Sequence, residues 1–193
     1  ALLAGGWSIG RAITQPPPAA IADLDACELP CWRGMTPRDT PMYAIESILR
    51  VYGYAYDGRD ENNRLVVYRA PSHCSVMVGN SRGTVGVISL TGCGGVQLGD
   101  VMTILGEPDG MVGWNTISFR GAHVFVTVAG DICRSRLTPY MTVLGIFIVS
   151  SDRSGRGLFV RQFAPETTTL QHWLGFATRA RYYQAAPELQ VCG

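Results

Sequence analysis

The stretch that most constrains the fold of this chain is VQLGDVMTILGEPDG, from Val96 to Gly110. Its apolar residues recur at helical spacing, which predicts a short amphipathic helix. Gly106 ends the pattern, and Pro108 then turns the chain away from the helix axis.

A weaker copy of this stretch, and of the strand that follows it, occurs earlier in the chain. The segment from Ile48 to Gly53 matches the segment from Val101 to Gly106 at one constant offset. Downstream of the two copies, VVYRA from Val66 matches ISFRG from Ile117. The sequence therefore predicts an internal duplication.

Each copy is predicted to contain one helix followed by three antiparallel strands. The predicted elements are a helix around Ala44–Tyr52 with strands at 65–69, 75–78 and 84–90, then the helix after Val96 with strands from Ile117, at 124–128 and at 142–149. Because so small a unit buries little apolar surface alone, the two units are expected to share a core. The predicted fold class is α+β, with two tandem helix-plus-three-strand units.

Four segments follow from this division. Residues 27–92 and 93–150 form the two repeats, and residues 151–193 form a tail predicted to hold a strand and a helix over 167–184. Residues 1–26 combine the apolar ALLAGGWSIGRAIT with the spacer QPPPAA, which favours polyproline II. The apolar part is shorter than the roughly 20 residues that span a bilayer. It is interpreted as the end of a membrane anchor or a partner-docked segment, with a frayed tail as the alternative.

Composition excludes several functional classes. The formal net charge is +1, without a run of like charges, so no basic face for nucleic acid is predicted. All 16 basic residues are arginine, which excludes Schiff-base lysine chemistry and a P-loop lysine.

The six cysteines predict disulfides and an oxidising, extracytoplasmic compartment. Their number is even and no CxxC pair occurs, although sequence alone leaves fifteen connectivities open. The preferred pairs are Cys27–Cys31, Cys74–Cys93 and Cys133–Cys192.

No catalytic, cofactor-binding or metal site is predicted. The three histidines are isolated from one another and lack metal-ligand spacing. A nucleophile such as Cys133 with His123 would require a free thiol, which the predicted bridges remove. The carboxylates of Asp57, Asp60 and Glu61 are interpreted as a solvated turn, because a calcium loop needs denser oxygen ligands.

A short motif resembles a known group of exported proteins. The pattern is carried by Gly99, Asp100, Val101, Leu105, Gly106 and Pro108. It is similar to that of the beta-lactamase-inhibitor-like superfamily and the SmpA/OmlA (BamE-like) outer-membrane lipoproteins. The resemblance implies an exported protein that packs helices on one face of an antiparallel sheet and binds other proteins.

The chain departs from that family pattern in two respects, and one further segment resembles other exported proteins. The first copy has Tyr54 and Ala55 where the second has Glu107 and Pro108, and each copy has one helix rather than two. The segment LPCWRGMTP resembles part of uncharacterised exported proteins of filamentous green bacteria (Chloroflexi), from which no function follows.

The resulting prediction is a non-catalytic, exported protein-binding or structural subunit, tethered to a membrane or membrane complex by its N-terminus. The alternatives are a secreted inhibitor or ligand-binding module that works untethered, and an uncharacterised hydrolase. The predicted protein-partner surface is the sheet face opposite the helices, where strand alternation places Val67 and Phe125. A tail segment covering that face is the competing interpretation. Further predicted contact residues are Arg64, Arg82, Arg179 and Tyr182.

Overall fold

The chain forms a nine-stranded antiparallel sheet with two short α-helices in the computed structural model, which describes residues 18, 21–59, 65–70, 74–112, 115–130, 136–150 and 170–176. In chain order the elements are a 3-10 turn (Met42–Ala44), α1 (Ile45–Val51), β1 (Ala55–Arg59), β2 (Leu65–Arg69), β3 (Ser75–Ser81), β4 (Thr84–Thr91), α2 (Leu98–Leu105), β5 (Gly110–Val112), β6 (Thr116–Phe119), β7 (Val124–Val128), β8 (Val143–Val149) and β9 (Leu170–His172).

The spatial order of the strands is nearly palindromic. It runs β1-β2-β3-β4-β8-β7-β6-β5-β9, so each α-helix precedes four strands that pair in sequence order. The two sets of four meet where β4 pairs with β8, in a register that sets Ile88 opposite Ile148 and Ser89 opposite Phe147. The whole is therefore one continuous sheet.

The predicted fold class is wrong, because the described chain is mostly β and not a pair of helix-plus-three-strand units. Strands β1 and β5 were absent from the prediction. The sequence of β1, AYDGR, has little apolar character and carries a bulge between Tyr56 and Gly58, while β5 has only three residues. Neither shows the long alternation that identifies a strand, and both form through pairing with a neighbour.

The predicted tail helix over 167–184 is also wrong where the structure describes it. Leu170–His172 is a strand paired with β5, and Gly175 has a φ of +75°. Apolar residues recur here at helical spacing, but the chain is extended where it pairs with β5. Pairing with the sheet overrides the local helical preference.

The N-termini of the two helices differ. At α2 the Asp100 carboxylate accepts the Gln97 N–H at 2.8 Å, and the Asp100 N–H donates to the Gln97 carbonyl at 3.0 Å, so both donors are satisfied at this helix start. Gly106 ends α2 with a φ of +85°. The start of the first helix has no side-chain cap, and the hydroxyl of the nearby Thr40 accepts the N–H of Thr36 at 2.8 Å.

Two hydrophobic clusters lie on the two faces of the sheet. The larger joins the helices to one face and includes Ile45, Leu49, Leu98, Val101, Val76, Ile88, Phe119, Val126 and Ile146. Ile21 and Leu24, which were assigned to the N-terminal linker, are fully buried in this cluster. The smaller cluster occupies the opposite face and consists of Leu65, Val87, Val112, Ala122, Phe125, Phe147 and Val149, with Met77 packed against it.

Two disulfides confirm two of the predicted cysteine pairs. Cys27–Cys31 closes a five-residue loop, and Cys74–Cys93 ties the start of β3 to the segment that follows β4. The predicted Cys133–Cys192 pair lies outside the described residues. Disulfides of this kind form in an oxidising, extracytoplasmic environment.

The buried positions of Leu49 and Leu105 lead to a stability prediction. Leu49 is 0% and Leu105 is 2% exposed, so an aspartate at either position would bury an unpaired carboxylate, at a cost of several kcal/mol. We expect Leu49→Asp and Leu105→Asp each to unfold the protein, as measured by circular dichroism. Val51→Asp is the control on α1, because Val51 is 83% exposed. The melting temperature of this variant should match that of the parent. A parent-like melt of either leucine variant would contradict the placement of the helices.

Candidate functional site

The predicted partner surface opposite the helices is not open at Phe125. Phe125 is 2% exposed and packs with Val87, Phe147 and Val149, and it lies opposite Phe147 in the pairing of β7 with β8. The prediction that Phe125 stands on an uncovered face is therefore wrong, and no partner reaches it without a rearrangement.

The other predicted contact residues are scattered. Val67 is half-buried on β2, and Arg82 is exposed in the turn between β3 and β4. Arg64, Arg179 and Tyr182 lie outside the described residues. The strand registers set Val67 in the same cross-strand row as Phe125, with β3, β4 and β8 between their strands, and the partner role of these residues stays a prediction.

A different surface carries exposed apolar side chains. Tyr43 is 88%, Val51 83%, Tyr56 54% and Tyr52 40% exposed, and all four belong to the 3-10 turn, α1, its C-terminal end or β1. We call these four residues the tyrosine surface. Four large apolar groups this exposed within residues 43–56 make this part of the chain a candidate contact surface.

The local sequence explains why α1 presents these groups outward. Ile45 and Leu49 face the core, so residues on the other side of the helix, including Val51, are turned to solvent. Glu46 and Arg50 form an ion pair on this exposed side, one turn apart. The outward face therefore carries an apolar group beside a neutralised pair of charges.

Strand β1 contributes Tyr56 to the same surface. The Tyr56 ring meets the Tyr68 ring edge to face, with centroids 6.0 Å apart, across the β1–β2 pair. Asp57 pairs with Arg69 of β2, with 2.7 Å between Oδ2 and Nε. These cross-strand contacts hold the orientation of the strand that carries Tyr56.

A buried arginine supports the tyrosine surface from beneath. The Arg33 guanidinium carbon lies 4.4 Å from the ring centre of Tyr52, 4.9 Å from that of Trp32 and 5.4 Å from that of Tyr54. Its Nη2 and Nε lie 2.7 and 2.9 Å from Oδ2 of Asp23. Arg33 is thus held by one carboxylate and three rings, and Tyr52 is seated on it.

The loop that carries this arginine is itself tightly held. Trp32 and Met35 exchange backbone hydrogen bonds, and both side chains are fully buried. The Trp32 ring packs edge to face against Tyr54, with centroids 6.4 Å apart. Because the Cys27–Cys31 disulfide closes the preceding turn, the loop that carries Trp32 and Arg33 is further constrained.

Burial shifts the acidity of the tyrosines below this surface. Desolvation raises the pKa of Tyr54 above 10.0, although the nearby positive charge of Arg33 partly lowers it. Desolvation likewise raises the pKa of Tyr68, and the Glu46 charge adds to the rise. Both hydroxyls therefore stay protonated more strongly than in an unfolded chain.

The chemistry of the tyrosine surface is that of contact. Aromatic rings and an aliphatic side chain can bind another surface by excluding water and by stacking. Two of the neighbouring ion pairs are internal, Glu46 with Arg50 and Asp57 with Arg69, and Arg59 adds a positive charge. Within the described ranges, no group of three or more His, Cys, Asp or Glu side chains is placed to hold a metal ion.

The tyrosine surface was not predicted from the sequence, although the sequence carries one signal for it. Tyr43 and Val51 are apolar residues that fall off the buried stripe of α1, which Ile45 and Leu49 define. An apolar residue on the solvent side of a helix is the pattern that would have pointed to it. The arginine beneath the surface has no comparable signal, since its partners come from three separate segments.

Comparison of the chain with protein-family models, with curated proteins and with solved structures finds no match. The resemblance to the beta-lactamase-inhibitor-like and SmpA/OmlA groups therefore stays an expectation. None of the helices in the described part of the chain combines the length and hydropathy of a membrane span.

The contact between the Tyr52 ring and the Arg33 guanidinium leads to a stability prediction. In Arg33→Lys, an ammonium group cannot bind Asp23 through two nitrogens while lying flat between rings, so we expect a loss of about 2 kcal/mol in unfolding free energy. The matched control is Arg50→Lys, whose partner pair is solvent-exposed and should change stability by less than about 0.5 kcal/mol. Urea denaturation measures both. Equal stability of the two variants would contradict the role assigned to Arg33.

The raised pKa values of Tyr54 and Tyr68 predict an alkaline loss of stability. Their contribution is fully present below 10.0 and is lost as pH rises through the raised pKa, because the unfolded state releases the protons first. We expect Tyr54→Phe/Tyr68→Phe to flatten this decline in urea unfolding measured across pH. Tyr43→Phe, which changes an exposed ring, should retain the parental slope. An unchanged slope in the double variant would show that other groups cause the decline.

Proposed function

We propose that the protein is an extracytoplasmic protein-binding or structural subunit that contacts its partner through the tyrosine surface. The observation that carries the proposal is the exposure of Tyr43 and Val51, at 88% and 83%, beside Tyr52 and Tyr56. Burial of these side chains against a partner would remove apolar area from water, which is the main favourable term in association.

The chemistry of tyrosine supports this role. A tyrosine offers a large contact area with few rotatable bonds, so little conformational entropy is lost when it is buried. Tyrosine is also enriched among the residues that dominate binding energy. Tyr52 is further restricted by its seat on Arg33, which reduces the cost of ordering it.

The charges around the tyrosine surface indicate what kind of partner it fits. Glu46 with Arg50, and Asp57 with Arg69, form internal pairs that leave little net charge there. A neutral, apolar partner surface with a polar rim fits such a surface better than a strongly charged one.

Attachment to a membrane or membrane complex is the second part of the proposal. The apolar segment at positions 1–14 and the spacer QPPPAA precede the domain, whose core begins at the buried Ile21. Two residues later Asp23 binds Arg33, which lies directly beneath Tyr52. The chain thus enters the domain beside the tyrosine surface, so a tether would hold that surface close to whatever the N-terminal segment binds.

The proposal is tested by affinity capture from the cell envelope of the source organism. The variant Tyr43→Glu/Val51→Glu should lose a protein that the parent captures, because two charges would be buried without partners. The matched control is Tyr140→Glu/Leu144→Glu, since these side chains are 58% and 51% exposed elsewhere. We expect the control to capture the same protein as the parent, and both variants to keep the parental melting temperature.

Two results would contradict the proposal. One is retention of every captured protein by Tyr43→Glu/Val51→Glu. The other is the absence of any reproducible partner of the parent in quantitative mass spectrometry.

A further inference from the structure

The two outer edges of the repeated four-stranded sets differ in how they are covered. Strand β5 follows α2 as β1 follows α1, so β1 and β5 occupy equivalent edges of the palindromic order. The outer edge of β5 is paired with β9, whereas β1 pairs only with β2 among the described strands. Within the described chain, the β5 edge thus has an added strand and the equivalent β1 edge has none.

The covered edge shows how such an addition is made. Strand β9 comes from far along the chain and pairs antiparallel with β5, setting Leu170 opposite Val112 and His172 opposite Gly110. Directly after β9, the Trp173 N–H donates to the Asp109 carbonyl at 3.2 Å. Trp173 also packs against the larger hydrophobic core. An extended segment with an apolar residue beside it therefore closes this edge.

The β1 edge carries the features that such a segment would use. Four of the five β1 residues are exposed, and β2 is the one described strand that pairs with β1. Tyr56 lies on this strand, and Tyr52 lies just before it at the end of α1. Backbone pairing would supply affinity, and the neighbouring rings would select apolar side chains.

We propose that the partner supplies an extended segment that pairs antiparallel with β1 as an additional strand, as β9 pairs with β5, and places apolar side chains on the tyrosine surface. This inference rests on the proposed function, and it specifies the partner chemistry as a linear polypeptide segment in β conformation. The segment belongs to another protein.

The β1 sequence limits which chains can pair there. Between Tyr56 and Gly58 the strand bulges, and Gly58 has a φ of +128°. Asp57 and Arg59 add charges to the same short strand. A bulge and charges on an edge strand oppose indiscriminate pairing between sheets. Pairing of β1 with itself in a second copy would set two bulged strands against each other, which is why a different chain is favoured.

The test selects binders from a displayed library of random linear peptides, using the full chain as bait. Selected peptides should be rich in apolar residues, should compete with the captured envelope protein, and should lose binding to Tyr43→Glu/Val51→Glu. NMR of the complex should show backbone contacts between peptide and β1 in antiparallel order. Amide exchange over Ala55–Arg59 should slow about tenfold or more, because new hydrogen bonds protect these amides, while β5 should not change.

Four outcomes would overturn the added strand. The first is a library that gives no binders. The second is protection of the β1 amides in the free monomer, which would mean that the chain itself covers the edge. Self-association with protected β1 amides would identify a second copy as the occupant. Peptides that need Tyr43 and Val51 but leave the β1 amides unprotected would refute strand addition while leaving the proposed function intact. The envelope capture, in contrast, tests the proposed function whatever the peptides do.

Discussion

The antiparallel pairing of β4 with β8 is the interaction on which the rest of the structure depends. It joins two four-stranded sets into one sheet, and its residues contribute to both hydrophobic clusters. Ile88 and Ile148 face the helices, while Val87 and Val149 face the opposite side. Because strands at the centre of a sheet are covered on both faces, this pair resembles the fully buried strands of larger proteins. Each set alone would leave a long apolar strand with an open edge, which is a liability for aggregation.

Joining the sets at the centre moves the remaining edges to the outside, and the two are finished differently. On one side β9 pairs with β5, and Trp173 packs against the core. On the other side β1 carries a bulge, paired charges and exposed rings. Within the described residues, the two edges of a domain built from the same order of elements twice therefore differ. The buried Arg33 beside this edge fixes the position of Tyr52 without neutralising the apolar character of the surface.

Sequence patterns identified the parts of the fold that depend on local physics. Long alternating segments such as 65–69 and 124–128 were predicted within a residue or two, and the stop at Gly106 follows from its positive φ. Strands β1, β5 and β9 escaped prediction because each is short and forms only by pairing with a partner distant in the chain. The predicted partner face failed for a related reason. Alternation correctly puts Phe125 opposite the helices, but alternation cannot show whether that face is covered.

The central claim is that the protein meets its partner through the tyrosine surface, and not through the face around Phe125. Site-specific photo-crosslinking in living cells of the source organism tests it most directly. A photoreactive residue at position 43 or 51 should form an adduct with one and the same protein, and a photoreactive residue at the exposed Leu144 should not. Equal adducts from position 144, or none from positions 43 and 51, would contradict the claim.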